Sequence, residues 1–289
     1  MIYLFATTLL WAFSFSLIGV YLAGQVDAWF SVLMRVALAV LIFLPFLKCR
    51  YVSKSLVIKL MSIGAIQLGV MYGFYYHSFL FLTVPEVLLF TVMTPLIVTL
   101  LNDALDKRFN PLFFIAAAVA TLGAITIRYD GLSGDFVIGF FIVQGANLCF
   151  ASGQVFYKRI MANEPNLSQH TVFGYFFIGA FLVATVSFAL FGDVSKLPQT
   201  TLQWSILTYL GIVASGVGYF AWNKGATQVN VGTLAVMNNL LIPAGILVNV
   251  LIWNRDADIV RLSIGSGIIL LALLINQKIF PNSRMKALS

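Results

Sequence analysis

In so apolar a chain, the residues able to do chemistry are those that hydrocarbon penalises most. Arg35 lies about six residues into an apolar run, in LMRVALAVLIFLPF. A mid-membrane arginine costs roughly 2.5–3.5 kcal/mol on insertion scales, so it turns toward the protein interior and toward a partner. Two kinds of partner are open. One is structural: a clamp to Glu86, to Asp27 or to a helix C-terminal carbonyl. The other is an anion bound from outside the chain. Glu86 itself starts another apolar run. A carboxylate there could carry a coupling proton or simply sit at the membrane interface.

Neutral polar residues form a second group. Gln144, Asn147, Ala151 and Gln154 recur at helical spacing and share one face. Such amides either join helices in lipid, for about 0.6 kcal/mol each, or line a cavity. Thr7, Trp11 and Ser14 make a similar face near the N-terminus. Asn238 and Asn239 are adjacent, so at most one points squarely into a cavity. Gly69, Tyr72, Tyr76 and Gly211, Ser215, Tyr219, Trp222 are two further stripes. Tyr76 and Trp222 also suit an interfacial aromatic belt, whereas Tyr72 and Tyr219 lie about a turn deeper. Pro95 and Pro243 each remove a backbone donor, freeing a carbonyl that can bind a ligand or hinge a helix.

The elements that must position these residues are membrane helices. Only 9% of residues are charged and mean hydropathy is +0.97, against about 25% charged in soluble domains. Ten runs approach the 20 or so apolar residues of a span: Tyr3–Ala23, Trp29–Leu47, Val57–Tyr76, Glu86–Leu101, Leu112–Ile127, Phe136–Phe156, Thr171–Phe191, Leu202–Trp222, Val231–Trp253 and Val260–Ile279. The first is long enough to be kept as a helix rather than removed as a signal peptide. Lysine and arginine set the orientation. With both termini on one side, that side carries twelve: Lys48, Arg50, Lys54, Lys59, Lys107, Arg108, Lys158, Arg159, Lys224, Lys278, Arg284 and Lys286. The other side carries four: Arg128, Lys196, Arg255 and Arg261. Both termini are therefore expected in the cytoplasm.

The stretch from Gly69 to Leu101 recurs, degenerate but legible, from Gly216 to Leu251. In each copy a glycine and a tyrosine lead into aromatics, a short loop follows, and then an apolar helix with a proline near its middle. Tyr72 and Tyr219, like Pro95 and Pro243, stand about half the chain apart. Ten helices divided by such a repeat give five per half. Five is odd, so the second half enters the membrane inverted. The expected fold is all-α and integral to the membrane, with two inverted five-helix repeats, residues 1–134 and 135–289. Paired, Gly/Pro-interrupted helices at matching places point to a transporter's binding site, with the halves rocking around it.

Several function classes are excluded. No GxxxxGK[ST] loop is present for ATP hydrolysis. The net charge of +7 comes without the basic-aromatic interleaving of nucleic-acid binders. His77 and His170 are far apart, and neither a metal cluster nor a Ser–His–Asp arrangement can be built, so no enzyme, metal or cofactor is expected. Cys49 in a basic loop and Cys149 in an apolar run are not expected to pair.

Ten helices in two halves, LLWAFSFS at Leu9–Ser16 and the segment around Arg35 resemble the drug/metabolite transporter superfamily, EamA type. The resemblance covers nearly the whole chain, and arginine at this place is common in that family. Longer segments, including LTVPEVLLFTVMTPL, IRYDG, LPQTTLQWSIL and GIVASGVGYFAWNKGATQVNVGTLAVMNN, are similar to its enterobacterial biotin-transporting branch. The resemblance implies inward movement of biotin across the bacterial inner membrane by one polypeptide, with no ATPase partner. Biotin's carboxylate would want Arg35 or a helix N-terminus. Its ureido ring could match Gln144, Asn147, Asn238 or Asn239. Its rings and tail would suit Trp11, Tyr72, Tyr219 and Trp222. An aromatic amino acid would suit the same residues nearly as well. Amino-acid exporters share this fold, so transport of amino acids or other small metabolites is the alternative.

Overall fold

The computed structural model describes residues 1–48, 50, 52–127, 136–253 and 259–279, and every regular element among them is helical. α1 is Ile2–Tyr21 and α2 is Ala28–Phe46. α3 is Lys54–Ser78. α4 is built of Val84–Phe90, a 3-10 turn at Thr91–Met93 and Thr94–Asp106. α5 is Pro111–Ile127, α6 is Phe136–Ala162 and α7 is Phe173–Phe191. α8 is Thr201–Thr227, α9 is Val231–Trp253 and α10 is Ile259–Ile279.

Eight of these, all but α5 and α10, are long and apolar enough to cross a membrane. α5 and α10 fall on the other two expected runs, but their described apolar stretches, Pro111–Leu122 and Ser263–Ala272, are shorter than a span. Arg128, Arg255, Arg284 and Lys286, used above for orientation, lie outside the described residues, as do Cys49 and the 134/135 boundary. Cys149 is a free thiol.

Helix starts follow local chemistry. Asp27 caps α2, its carboxylate accepting from Phe30 N at 2.7 Å. Ser53 caps α3 and Thr200 caps α8, each accepting from the backbone three residues on. Thr83 and Glu86 form a capping box on α4: Glu86 Oε2 accepts from Thr83 N at 2.8 Å and from its hydroxyl at 2.9 Å. Asn230 caps α9, accepting from Thr233 N at 2.7 Å. α3 and α8 each contain a π-helical segment, at Ala65–Val70 and Leu210–Val217.

Helices of the first half pack mainly on helices of the second. α1 lies on α8 and α9, α2 on α7 and α8, and α3 on α6 and α7. α4 lies on α6 and α9, and α5 on α9 and α10. Small residues set the closest crossings, as expected where lipid offers no hydrophobic drive between helices. A Cβ on Gly64 of α3 would lie 1.8 Å from the Phe176 carbonyl oxygen of α7, and one on Gly179 of α7 would lie 1.9 Å from that of Met61. Only glycine permits this backbone-to-backbone contact.

Candidate functional site

A cavity of about 680 Å3, mouth included, opens between α1, α2, α3, α4, α6, α8 and α9. Its polar groups come from two walls.

The first wall is built by α2, α3 and α8 around Arg35, which is 2% exposed. Arg35 Nε donates to Ser215 Oγ at 3.0 Å and its terminal nitrogens to the hydroxyls of Tyr76, at 3.2 Å, and Tyr72. Tyr72 and Ser215 are themselves 2.9 Å apart, tying the first half to the second. The guanidinium also lies 4.2 Å from the Tyr72 ring centroid. Neither carboxylate considered as a clamp engages it: Asp27 and Glu86 are spent capping α2 and α4. Among the described residues no carboxylate pairs with Arg35, and the cavity lining contains none. The side chain thus carries its positive charge in a low-dielectric interior with only neutral hydroxyls and rings around it. A guanidinium has five N–H donors, and three are used here.

The second wall comes from α4, α6 and α9, and it begins with a broken helix. The 3-10 turn before Pro95 sends Thr94 N–H to Thr91 O instead of Phe90 O, its partner in a continuous α-helix. Asn147 Nδ2 donates to that carbonyl at 2.8 Å and Gln144 Nε2 at 3.1 Å. Asn147 Nδ2 also donates to Gln144 Oε1 at 3.0 Å. Further along α6, Gln154 exchanges two 3.3 Å bonds with Asn238 and accepts from Trp222 Nε1 at 3.0 Å. Asn238 Nδ2 is held by the Leu234 carbonyl at 2.8 Å.

Between the walls lies an aromatic group. Trp11 stacks obliquely on Tyr219, 5.0 Å between centroids, and on Trp222, at 5.1 Å, with Phe150 edge-on at 5.7 Å. Its indole N–H donates to the Ala214 carbonyl, inside the π segment of α8, at 2.8 Å. π segments are often found at functional sites because they release backbone groups.

Of the residues singled out from sequence, Trp11, Ser14, Arg35, Tyr72, Asn147, Tyr219 and Asn238 line the cavity. Tyr76, Gln144 and Trp222 stand behind them and hold Arg35, Asn147 and Gln154. Asn239 is not among the cavity-lining residues and is fully buried, with no partner for either amide atom among the described residues. Pro95 follows the break in α4, whereas α9 continues as helix through Pro243. Thr91, Thr94, Tyr75 and Phe150 also line the cavity and are absent from the sequence-derived set. Thr91 was accessible to sequence reasoning, since it stands 147 residues before Asn238, the same separation as Tyr72 from Tyr219.

An EamA-like transporter family model matches residues 137–277. The chain is 54% identical over 276 residues to a probable biotin transporter of Pseudomonas aeruginosa, covering 95% of this chain and 96% of that protein. It is 50% identical over 286 residues to biotin transporters of Salmonella typhimurium and Escherichia coli, covering 98% of this chain and 95% of each. A crystal structure of a protein 19% identical superposes with a TM-score of 0.73, covering 94% of this chain and 95% of the other, and thereby shows the fold. Matched end to end by such relatives and built as a helical membrane fold, the chain belongs to the EamA-like transporter family, and it is a transporter, not an enzyme.

Proposed function

We propose that this chain imports biotin across the bacterial inner membrane as a secondary transporter, by alternating access. The observation that carries the reading is Arg35, a buried cation on a cavity wall that holds no carboxylate to neutralise it. A small amphipathic anion supplies the missing charge, and the aromatic group around Trp11 covers an apolar body. The names of relatives at 50–54% identity select biotin among such anions.

The architecture in this reading is ten membrane helices in two inverted five-helix repeats, residues 1–134 and 135–289, with both termini cytoplasmic. Three regularities support it. The caps Ser53 and Thr200, and Thr83 and Asn230, recur 147 residues apart. The π segments of α3 and α8 recur at the matching place. Exchanging α1–α5 for α6–α10 also turns the α1–α8 contact into α6–α3, α1–α9 into α6–α4 and α2–α8 into α7–α3. It leaves α2–α7, α4–α9 and α5–α10 as they are. Such a symmetry lets one half rock against the other about a central site. Pro95 and Pro243 are the hinge positions, and no ATPase partner is required. Glu86 is the coupling candidate. Replacing it with Gln should remove the pH dependence of uptake, while persistence of that dependence would assign Glu86 to the α4 cap alone.

The test of substrate is labelled-biotin uptake at nanomolar concentration in a biotin auxotroph lacking its own transporter. Saturable uptake competed by excess biotin, but not by tryptophan or threonine, is expected. Absence of uptake with the protein present in the membrane would overturn biotin import and redirect the search to amino-acid export.

A further inference from the structure

The amides of the second wall are turned one way. Phe90 O and Leu234 O are backbone carbonyls and can only accept, so the groups facing them at 2.8 Å must be the NH2 ends of Asn147 and Asn238. This fixes both amide orientations by chemistry rather than by choice. Asn147 then has both protons committed, to Phe90 O and Gln144 Oε1. Asn238 also has both committed, to Leu234 O and Gln154 Oε1. Gln154 is itself oriented by Trp222, whose indole can only donate. Between these residues Thr91 spends its hydroxyl proton on Leu88 O at 2.7 Å. Three cavity-lining side chains from α4, α6 and α9 therefore keep only acceptor capacity: Oδ1 of Asn147, the second lone pair of Asn238 Oδ1, and Thr91 Oγ1.

We infer that this wall selects its ligand through the ligand's own N–H groups, with Asn147 and Asn238 acting as acceptors opposite the cationic wall of Arg35. The ligand class is an anion whose far end is a neutral N–H donor, such as a cyclic urea. The inference rests on the functional reading above and deepens it, because it assigns the ureido nitrogens, rather than the ureido oxygen, to the asparagine wall. A ligand presenting only carbonyl oxygens to Asn147 and Asn238 would face oxygen with oxygen, leaving buried acceptors unpaired.

The experiment is competition against labelled-biotin uptake by the full chain in cells. The competitors are biotin and analogues in which one or the other ureido N–H is replaced by CH2, which removes a donor without adding bulk. At least one analogue is expected to compete about 10-fold more weakly than biotin, as for a lost hydrogen bond to a buried acceptor. In Asn147→Leu that discrimination should shrink to about 3-fold or less while biotin's own KM rises, because the acceptor is gone. Saturable biotin uptake with both analogues competing as well as biotin itself overturns this inference alone. Discrimination retained in full in both Asn147→Leu and Asn238→Leu overturns the assignment to this wall. Absence of saturable biotin uptake overturns the functional reading, and this inference with it.

Discussion

α3 and α8, counterparts in the proposed repeat, agree in backbone while differing in chemistry. Each starts at a hydroxyl cap, Ser53 or Thr200, and carries a π segment, at Ala65–Val70 or Leu210–Val217. Each then places a tyrosine, Tyr72 or Tyr219, on the cavity. At the register where α8 has Ala214, its carbonyl bonded by Trp11, α3 has Gln67, fully buried and with no partner for its amide among the described residues. α3 gives Arg35 two phenols, whereas α8 gives it one serine. α7, the counterpart of α2 in the proposed repeat, has no charged residue between Phe173 and Phe191, so Arg35 has no charged equivalent there. In the proposed repeat, the two copies share a backbone scaffold while the polar groups of the site differ between them, as a ligand with one charged and one neutral end requires.

The largest effect should come from erasing that asymmetry. Arg35→Ala is expected to lower kcat/KM for an anionic substrate roughly 10- to 100-fold, from the loss of charge-assisted hydrogen bonds worth about 1.5–3 kcal/mol. Membrane levels should be unchanged; normal uptake by this variant would sink the anion reading. Next come the equivalent glycines Gly64 and Gly211. A Cβ at Gly64 meets the Phe176 carbonyl oxygen at 1.8 Å, and one at Gly211 meets the Leu38 side chain at 2.7 Å. Overpacking typically costs about 1–3 kcal/mol. Gly64→Ala should therefore lower the unfolding temperature in detergent more than Gly211→Ala, and the reverse order would contradict this packing. Trp11→Phe keeps a ring but strands the Ala214 carbonyl, a cost of about 1–3 kcal/mol. It should reduce both thermal stability and biotin affinity, and a variant equal to the parent would deny the indole bond any role. The smallest effect is expected at Gln67. Gln67→Leu removes two buried polar atoms without partners, so stability should hold or rise. Lost transport in a stable Gln67→Leu would instead mark that amide as a partner used in another state of the cycle.

Much of this was legible before any coordinates. Hydrophobic run length located the helices, because hydrocarbon thickness demands a fixed number of apolar residues. The cost of a buried charge pointed to Arg35, and the repeat of Gly, Tyr and Pro pointed to α3, α4, α8 and α9 as the walls. Relationships between distant residues were less accessible. The Thr83–Glu86 spacing is that of a capping box, but nothing in the spacing of Asp27 and Glu86 says that Arg35 is left without a carboxylate. The helical period put Gln144, Asn147 and Gln154 on one face, yet Asn147 lines the cavity, Gln144 supports it from behind, and Gln154 fastens Trp222 to Asn238. Asn238 and Asn239 are indistinguishable in sequence, yet only Asn238 lines the cavity.

Taken alone, the sequence determined the membrane-helical class and which polar residues needed a reason to be in hydrocarbon. These follow from transfer costs and periodicity, which are local properties of a chain. Only the tertiary structure decided which of those residues meet, which carbonyl the break in α4 exposes, and which way each amide is turned. A hydrogen bond's partner is set by helices far apart in sequence that pack side by side.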